Sequence, residues 1–131
     1  RPMQLADLLA RNASIHAGGC LPYLSFRLIL MEEQDINKPE FSKRVPEGAR
    51  AFVDKFYFDT AISGSRAALS SLMEVARPGH VMYGSDWPYI DRHTVELQNE
   101  CLRTWDGFDE PTRTAVAHES ALALFPRFRK N

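Results

Sequence analysis

The feature that most limits the fold of this chain is a threefold alternation of a strand-like segment, a loop and a helix-like segment. The strand-like segments lead into His16, run through 56–58 to Asp59, and run through 81–83 to Gly84. Apolar residues at helical spacing follow each of them. This order predicts a parallel α/β construction and argues against a β-sandwich or a helical bundle.

The helices can be placed from their apolar periodicity and their end signals. Pro22 stands in the first turn of a helix that should end near Glu33, and Ser65 is a candidate N-cap. Helices are predicted over residues 4–10, 21–33, 66–76 and 94–103, and from 109 towards Pro126. Residues 34–48 predict a loop with room for a short helix, and 49–54 a helical turn. Nothing marks a domain boundary, so residues 1–131 predict a single domain.

Charge and cysteine content exclude several classes of partner. Sixteen basic and 17 acidic residues give a net charge of −1, so neither nucleic acid nor an anionic lipid surface is predicted as a partner. No apolar stretch approaches the roughly 20 residues that a membrane span requires. Two cysteines are too few for a disulfide scaffold, so we expect a reducing, cytoplasmic compartment.

A polar residue stands at or just beyond the end of each predicted strand. Because the carboxyl ends of parallel strands meet at one edge of a sheet, we expect His16, Asp59 and Asp86 to converge there. An imidazole suits proton transfer near neutral pH, and Gly18 and Gly19 allow the backbone after His16 to turn sharply. The alternative is a histidine that caps a tight turn.

The loop 84–88 contains a second candidate. The Asp86 carboxylate could bind a divalent metal or take a proton from metal-bound water. An Asx turn or a helix N-cap is the alternative. Trp87 is interpreted as a packing residue that could also wall a pocket, and a helix or turn cap is the preferred interpretation of Asp59.

Arg27 is the third candidate and lies on the helix that Pro22 opens. A guanidinium can hold an acidic substrate through a bidentate pair, although spacing alone favours a solvated surface residue. Cys20 has no activating base nearby in sequence and is predicted to be a buried, inert thiol. The other histidines lack ligand-like spacing and are interpreted as surface or capping residues: His80, His93 and His118.

Several of these motifs, taken in order, resemble one family. His16-Ala-Gly-Gly-Cys-Leu-Pro-Tyr-Leu-Ser-Phe-Arg27, then Phe58-Asp59-Thr60, then Tyr83-Gly84-Ser85-Asp86-Trp87-Pro88 resemble the C-terminal half of the amidohydrolase-related metal-dependent decarboxylases. That group includes aminocarboxymuconate-semialdehyde, γ-resorcylate and 6-methylsalicylate decarboxylases. Each motif is weak by itself, whereas the ordered set is fairly specific.

The resemblance implies the C-terminal part, about three β/α units, of a (β/α)8 TIM barrel of the metal-dependent hydrolase superfamily. It implies that His16 acts on metal-bound water or substrate, that Asp86 is a metal ligand, and that Arg27 reaches a substrate carboxylate, in some members across a subunit boundary. Trp87 would line the substrate pocket. The implied cofactor is a divalent metal, with zinc usual in one branch and manganese in others, and a homodimer is implied for a full-length form.

The sequence departs from the family in two ways. The family's N-terminal His-x-His pair and the histidine of its fifth strand have no counterpart, and a complete barrel takes about 250 residues where this chain has 131. We therefore expect a truncated or excised chain with an incomplete metal site. An isolated set of three parallel strands leaves edges unpaired, so we expect marginal stability.

The expected activity is that of a carbon–carbon lyase. By resemblance, the chain belongs to a decarboxylase that acts on a small aromatic or unsaturated carboxylic acid. Two alternatives remain: a metal-dependent hydrolase of a lactone, ester or amide, and a non-catalytic fragment that lacks the N-terminal metal ligands.

Overall fold

The fold is a small parallel sheet covered by helices. The computed structural model describes residues 16–34 and 38–129. In chain order the elements are α1 (Leu21–Glu33), α2 (Lys38–Arg44), α3 (Ala49–Val53), β1 (Phe58–Asp59), α4 (Arg66–Val75), β2 (Val81–Met82) and α5 (Arg92–Thr104). After them come α6 (Glu110–Thr114), a π-helical turn (Ala115–Glu119) and α7 (Ser120–Leu124), with 3₁₀ turns at His16–Gly18 and Pro126–Phe128.

The two strands run parallel, as the alternation predicts. Phe58 is paired with Val81 and Asp59 with Met82, and α4 connects the strands. Two backbone bonds flank this pairing: the Phe58 N–H donates to the His80 carbonyl at 2.8 Å and the Thr60 N–H to the Met82 carbonyl at 3.1 Å. Both strands therefore deliver their following residues to the same edge of the sheet.

The core lies between the sheet and the helices that cover it. Phe58, Leu69 and Leu72 are between 0% and 1% exposed, so the sheet and α4 share one dry interface. The remaining large members of the cluster come from β2, α5 and the C-terminal helical region: Val81, Leu102, Trp105, Phe108 and Val116. Burial of such side chains contributes about 1.5–3 kcal/mol each, which makes this cluster the main source of stability.

Side-chain caps define where three helices begin. Ser65 caps α4, as predicted, by accepting the Ala68 N–H at 3.2 Å. Asp91 caps α5 and Asp109 caps α6 in the same way. Hydrogen bonds from the backbone N–H and hydroxyl of Thr94 hold the pKa of Asp91 below its usual value, and those from Thr112 do the same for the pKa of Asp109.

The strands are shorter than the sequence predicts, because neighbouring residues bond elsewhere. The Phe56 N–H donates to the Val53 carbonyl at the end of α3, so the chain is still in a turn there. The Tyr83 N–H donates at 2.7 Å to the Val116 carbonyl, and β2 ends before Tyr83.

The C-terminal helix differs from the prediction of one regular helix. The Ser120 N–H donates to the Ala115 carbonyl, which is the hydrogen-bond spacing of a π-helix. The residue after Ala115 is Val116, whose carbonyl accepts the Tyr83 N–H. Helical dihedrals are kept at Ala115 and Ser120, so the turn is a local insertion rather than a break. This departure ties the helix to the end of β2 and has no signal in the sequence.

The other predicted helices match their positions within a few residues. The loop 34–48 contains α2, and the turn predicted at 49–54 is α3. The predicted helix at 4–10 and the strand leading into His16 lie outside the described residues. Within 16–34 and 38–129 the structure therefore contains two of the three predicted strands, and no helix there is long and apolar enough to cross a membrane.

Truncation of Leu72 tests the central role of the sheet–helix core. Leu72 is fully buried, so Leu72→Ala should lower the free energy of unfolding by about 2–5 kcal/mol, because a cavity remains where the side chain packed. Urea unfolding followed by circular dichroism measures this. The control is Leu97→Ala in α5, whose side chain is 59% exposed; equal losses for both variants would contradict the assignment of the core.

Candidate active site at the strand ends

His16, Asp59 and Asp86 meet at the carboxyl edge of the sheet. The Nδ1 atom of His16 lies 3.0 Å from Oδ1 of Asp59, and its Nε2 atom lies 3.7 Å from Oδ1 of Asp86. The convergence expected from the strand order is therefore present in the structure. The imidazole lies between two carboxylates, one at each ring nitrogen.

The turn that carries His16 is held by close packing against β1. Ala17 has φ 49°, Gly18 has φ 76° and Gly19 has φ 54°, so three successive residues lie in the left-handed region. A Cβ atom at Gly18 would lie 3.0 Å from the Phe58 ring and 3.0 Å from Pro22. Position 18 requires glycine because its φ is positive and because a side chain there would contact Phe58 and Pro22. This close packing places His16 beside β1.

Asp86 lies in a tight turn after β2. Its φ is 62°, an uncommon value for a residue other than glycine, and its carbonyl accepts the Tyr89 N–H at 2.9 Å. No described backbone N–H donates to the Asp86 carboxylate, and α5 is capped by Asp91 instead. The capping alternative is thus not what the structure shows for this side chain, which faces His16.

Two buried polar residues beneath the site have no clear signal in the sequence. Thr60 is fully buried and its hydroxyl accepts the Gly84 N–H at 3.2 Å. Gln98 is 4% exposed and its side-chain amide donates to the Gly84 carbonyl at 2.9 Å. Together they fix the backbone where β2 turns towards Asp86. Thr60 belongs to the Phe-Asp-Thr motif, which assigns it no role, and Gln98 becomes evident only from the packing of α5.

The remaining candidate residues lie away from these contacts. Arg27 is exposed on α1, with no hydrogen bond or ion pair to another described residue. Trp87 is 63% exposed, so its interpretation as a packing residue is wrong. The prediction of a buried Cys20 is also wrong, because the thiol is exposed at the start of α1 where no core element covers it.

The other histidines have the surface and capping roles predicted for them. His80 is stacked on Tyr57 with ring centroids 4.0 Å apart, and its Nδ1 atom lies 3.0 Å from the Phe56 carbonyl. His93 is exposed, and His118 lies 3.3 Å from the carboxylate of its neighbour Glu119.

The described residues do not fit a complete metal centre. Of the side chains in the described part of the chain, only Asp86 and the Nε2 atom of His16 face a common point, because Nδ1 of His16 is engaged by Asp59. A catalytic zinc site takes three protein ligands. Within residues 16–34 and 38–129 no group of three histidine, cysteine or carboxylate side chains is arranged to hold an ion.

Sequence comparison relates the chain to named decarboxylases. It is 38% identical over 115 residues to a 6-methylsalicylic acid decarboxylase of Penicillium expansum, covering 87% of this chain and 34% of the relative. A 6-methylsalicylic acid decarboxylase of Aspergillus aculeatus is 37% identical over 123 residues, with 88% and 35% covered. The chain therefore spans about a third of the length of the curated relatives it matches. No protein-family model matches it.

Structure comparison shows a likeness of fold to longer solved chains. A crystal structure of an amidohydrolase II superposes with a TM-score of 0.67 at 25% identity, covering 83% of this chain and 33% of that one. A dihydroxybenzoic acid decarboxylase of Polaromonas with bound manganese and 2-nitroresorcinol superposes with a TM-score of 0.62 at 18% identity, with 88% and 33% covered. The resemblance predicted from the motifs is confirmed.

The two-donor arrangement predicts weak metal binding by this chain alone. Zinc or manganese should be lost on dialysis, because two protein ligands do not hold an ion in competition with water. Elemental analysis of the purified 131-residue chain after incubation with each metal and dialysis measures this. One tightly retained ion per chain, removed by Asp86→Asn but not by Asp106→Asn, would show that the donor set is larger than described.

Proposed function

We propose that this chain, related to about a third of a 6-methylsalicylic acid decarboxylase, forms part of an enzyme that removes carbon dioxide from a small aromatic carboxylic acid. The observation that carries the proposal is the placement of His16 between Asp59 and Asp86 at the strand ends. The identity of 37–38% to decarboxylases named for 6-methylsalicylic acid supports the substrate class.

His16 is proposed as the group that delivers the proton. In an aromatic decarboxylation the bond between the ring carbon and the carboxyl carbon breaks, and its electron pair stays on the ring carbon. That carbon must then receive a proton. An imidazolium protonated at Nε2 can supply it, since Nδ1 faces Asp59 and Nε2 faces the open side of the site near Asp86.

Asp86 is proposed to help hold the divalent metal, zinc or manganese, which the family resemblance implies. The bound manganese of the Polaromonas decarboxylase supports a divalent ion in this fold. Because the described residues supply only a partial donor set, the other ligands would come from outside the described part of the chain. The parallel pairing of β1 with β2 supports a (β/α)8 barrel of which this chain would form the last β/α units.

Arg27 is proposed to bind the substrate carboxylate, and Trp87 to wall the substrate pocket. Both side chains are exposed in the described structure, so each is free to contact a ligand or a second subunit. A guanidinium suits a carboxylate because its N–H groups match the two oxygens. A homodimer in the full-length form would let Arg27 act across the subunit boundary.

A non-catalytic role for the isolated chain is the second candidate. The incomplete donor set among the described residues favours it, because without a full metal centre the chain by itself should release no carbon dioxide. The hydrolase alternative has less support, since the two curated relatives above are named as decarboxylases.

A chimera tests the decarboxylase proposal. The matched third of the Penicillium expansum enzyme is replaced by this chain, and carbon dioxide release from 6-methylsalicylic acid is measured. The chimera should be active, and His16→Gln should lower kcat about 10² to 10⁴-fold through loss of the proton donor. Asp86→Asn should lower both kcat and the bound metal content.

Matched controls come from the same chain. His93→Gln and Asp106→Asn alter exposed residues and should leave kcat near that of the unmodified chimera. A chimera that shows the parent's circular dichroism spectrum and melting transition but releases no carbon dioxide would contradict the proposal.

Arg27→Ala in the chimera should raise KM for the acid substrate by about tenfold or more with a smaller change in kcat, because a charge-assisted hydrogen bond to the carboxylate is lost. Arg77→Ala, at an exposed position between α4 and β2, is the control. An unchanged KM in steady-state assays of Arg27→Ala would remove Arg27 from the substrate site.

A further inference from the structure

We propose that Asp59 is a positioning residue that selects the tautomer and orientation of the His16 ring. Its predicted effect on turnover rests on the proposed function. Its predicted effect on the NMR spectrum of His16 does not depend on that function. The sequence favours a turn cap for Asp59, and the structure shows that it has this role and a second one. Its Oδ1 atom accepts the Ala61 N–H at 2.8 Å and also lies 3.0 Å from Nδ1 of His16.

The backbone of Asp59 is held on both sides. The Phe58 N–H donates to the carbonyl of His80, just before β2, and the Thr60 N–H donates to that of Met82, the residue paired with Asp59. Phe58 and Thr60 are both almost fully buried. The Asp59 side chain thus projects from a part of the sheet with little freedom to move.

Space is kept for the carboxylate by Gly84. A Cβ atom at position 84 would lie 3.0 Å from Cβ and 3.1 Å from Oδ1 of Asp59. Gly84 does not have a positive φ, so the need for glycine there comes from the neighbouring carboxylate rather than from the backbone. Thr60 and Gln98 hold Gly84 in this position through its N–H and carbonyl.

His16 is the less constrained partner. Its side chain is 44% exposed, against 23% for Asp59, so solvent borders more of the ring than of the carboxylate. The contact between a fixed carboxylate and an exposed ring therefore orients the ring. This direction of control is the reason for calling Asp59 the positioning residue.

The consequence is a defined tautomer. An ionised carboxylate can only accept a hydrogen bond, so in the neutral ring the proton is on Nδ1 and the lone pair is on Nε2. Nε2 then faces Asp86 at 3.7 Å and the open side of the site. There Nε2 can take up a proton and deliver it to the substrate. Without Asp59, neutral histidine reverts to the Nε2-protonated form that it favours in water.

Nitrogen-15 NMR of the 131-residue chain in alkaline buffer tests the tautomer directly. His16 should show the Nδ1-protonated pattern, and Asp59→Ser should convert it to the Nε2-protonated one. A serine hydroxyl can still cap the turn at Ala61 but is too short to hold His16. Asp59→Asn should keep the Nδ1-protonated pattern, since its oxygen can accept both donors. An unchanged pattern in Asp59→Ser would overturn the proposal.

Kinetics of the chimera test the functional consequence. Asp59→Ser should lower kcat about 10 to 100-fold with KM little changed, and Asp59→Asn should give a smaller loss because only the charge is removed. Gly84→Ala should lower kcat in the same direction by displacing the carboxylate. If Asp59→Ser is folded and keeps the kcat of the unmodified chimera, Asp59 is only a turn cap.

The two proposals fail in different ways. An inactive but folded chimera contradicts the decarboxylase function, while the tautomer of His16 still tests the role of Asp59. An active chimera with no response to Asp59→Ser contradicts the positioning role alone.

Discussion

The parallel pairing of β1 with β2 is the constraint on which the site depends. Two residue pairs, Phe58 with Val81 and Asp59 with Met82, set the register of the sheet. A shift by one residue would turn Phe58 out of the core and Asp59 into it, because side chains alternate between faces along a strand. The same register brings the chain after β2 to the same edge as Asp59, where Asp86 meets His16. Core packing and site geometry are therefore specified together.

The site combines a firm base with two strained turns. Phe58 and Thr60 are buried beneath it, and Gln98 connects α5 to the loop at Gly84. By contrast, Ala17 and Asp86 have positive φ values, which cost free energy in residues other than glycine. Conformational strain of this kind persists where surrounding contacts hold it, and here it occurs in the turns that place His16 and Asp86.

Among the described residues, the groups at the strand ends form an incomplete set of metal donors. They include a histidine between two carboxylates, and two donors facing one point do not make a metal centre. The relatives are about three times as long as the matched segment. In barrel enzymes the groups of one active site come from the ends of several strands, so a segment can retain the local geometry of its own strands without the full reaction.

The sequence by itself determined the features that depend on neighbouring residues. The spacing of apolar residues predicted α1, α4 and α5, the short polar side chain of Ser65 predicted a cap, and the order of the motifs predicted the relationship to decarboxylases. The helix period and the N-cap are local signals, since each is contained within a few residues, and the order of the motifs can be read directly along the chain.

Tertiary structure decided what depends on contacts between distant segments. The bond between His16 and Asp59 joins positions 43 residues apart, and the bond from Tyr83 to the Val116 carbonyl both ends β2 and accompanies the π turn. The exposure of Cys20 and Trp87, both predicted wrongly, also follows from which elements cover them. Strand order placed the three polar residues at one edge of the sheet, but only packing selects which ring nitrogen meets which carboxylate, because that choice depends on distances that no local spacing encodes.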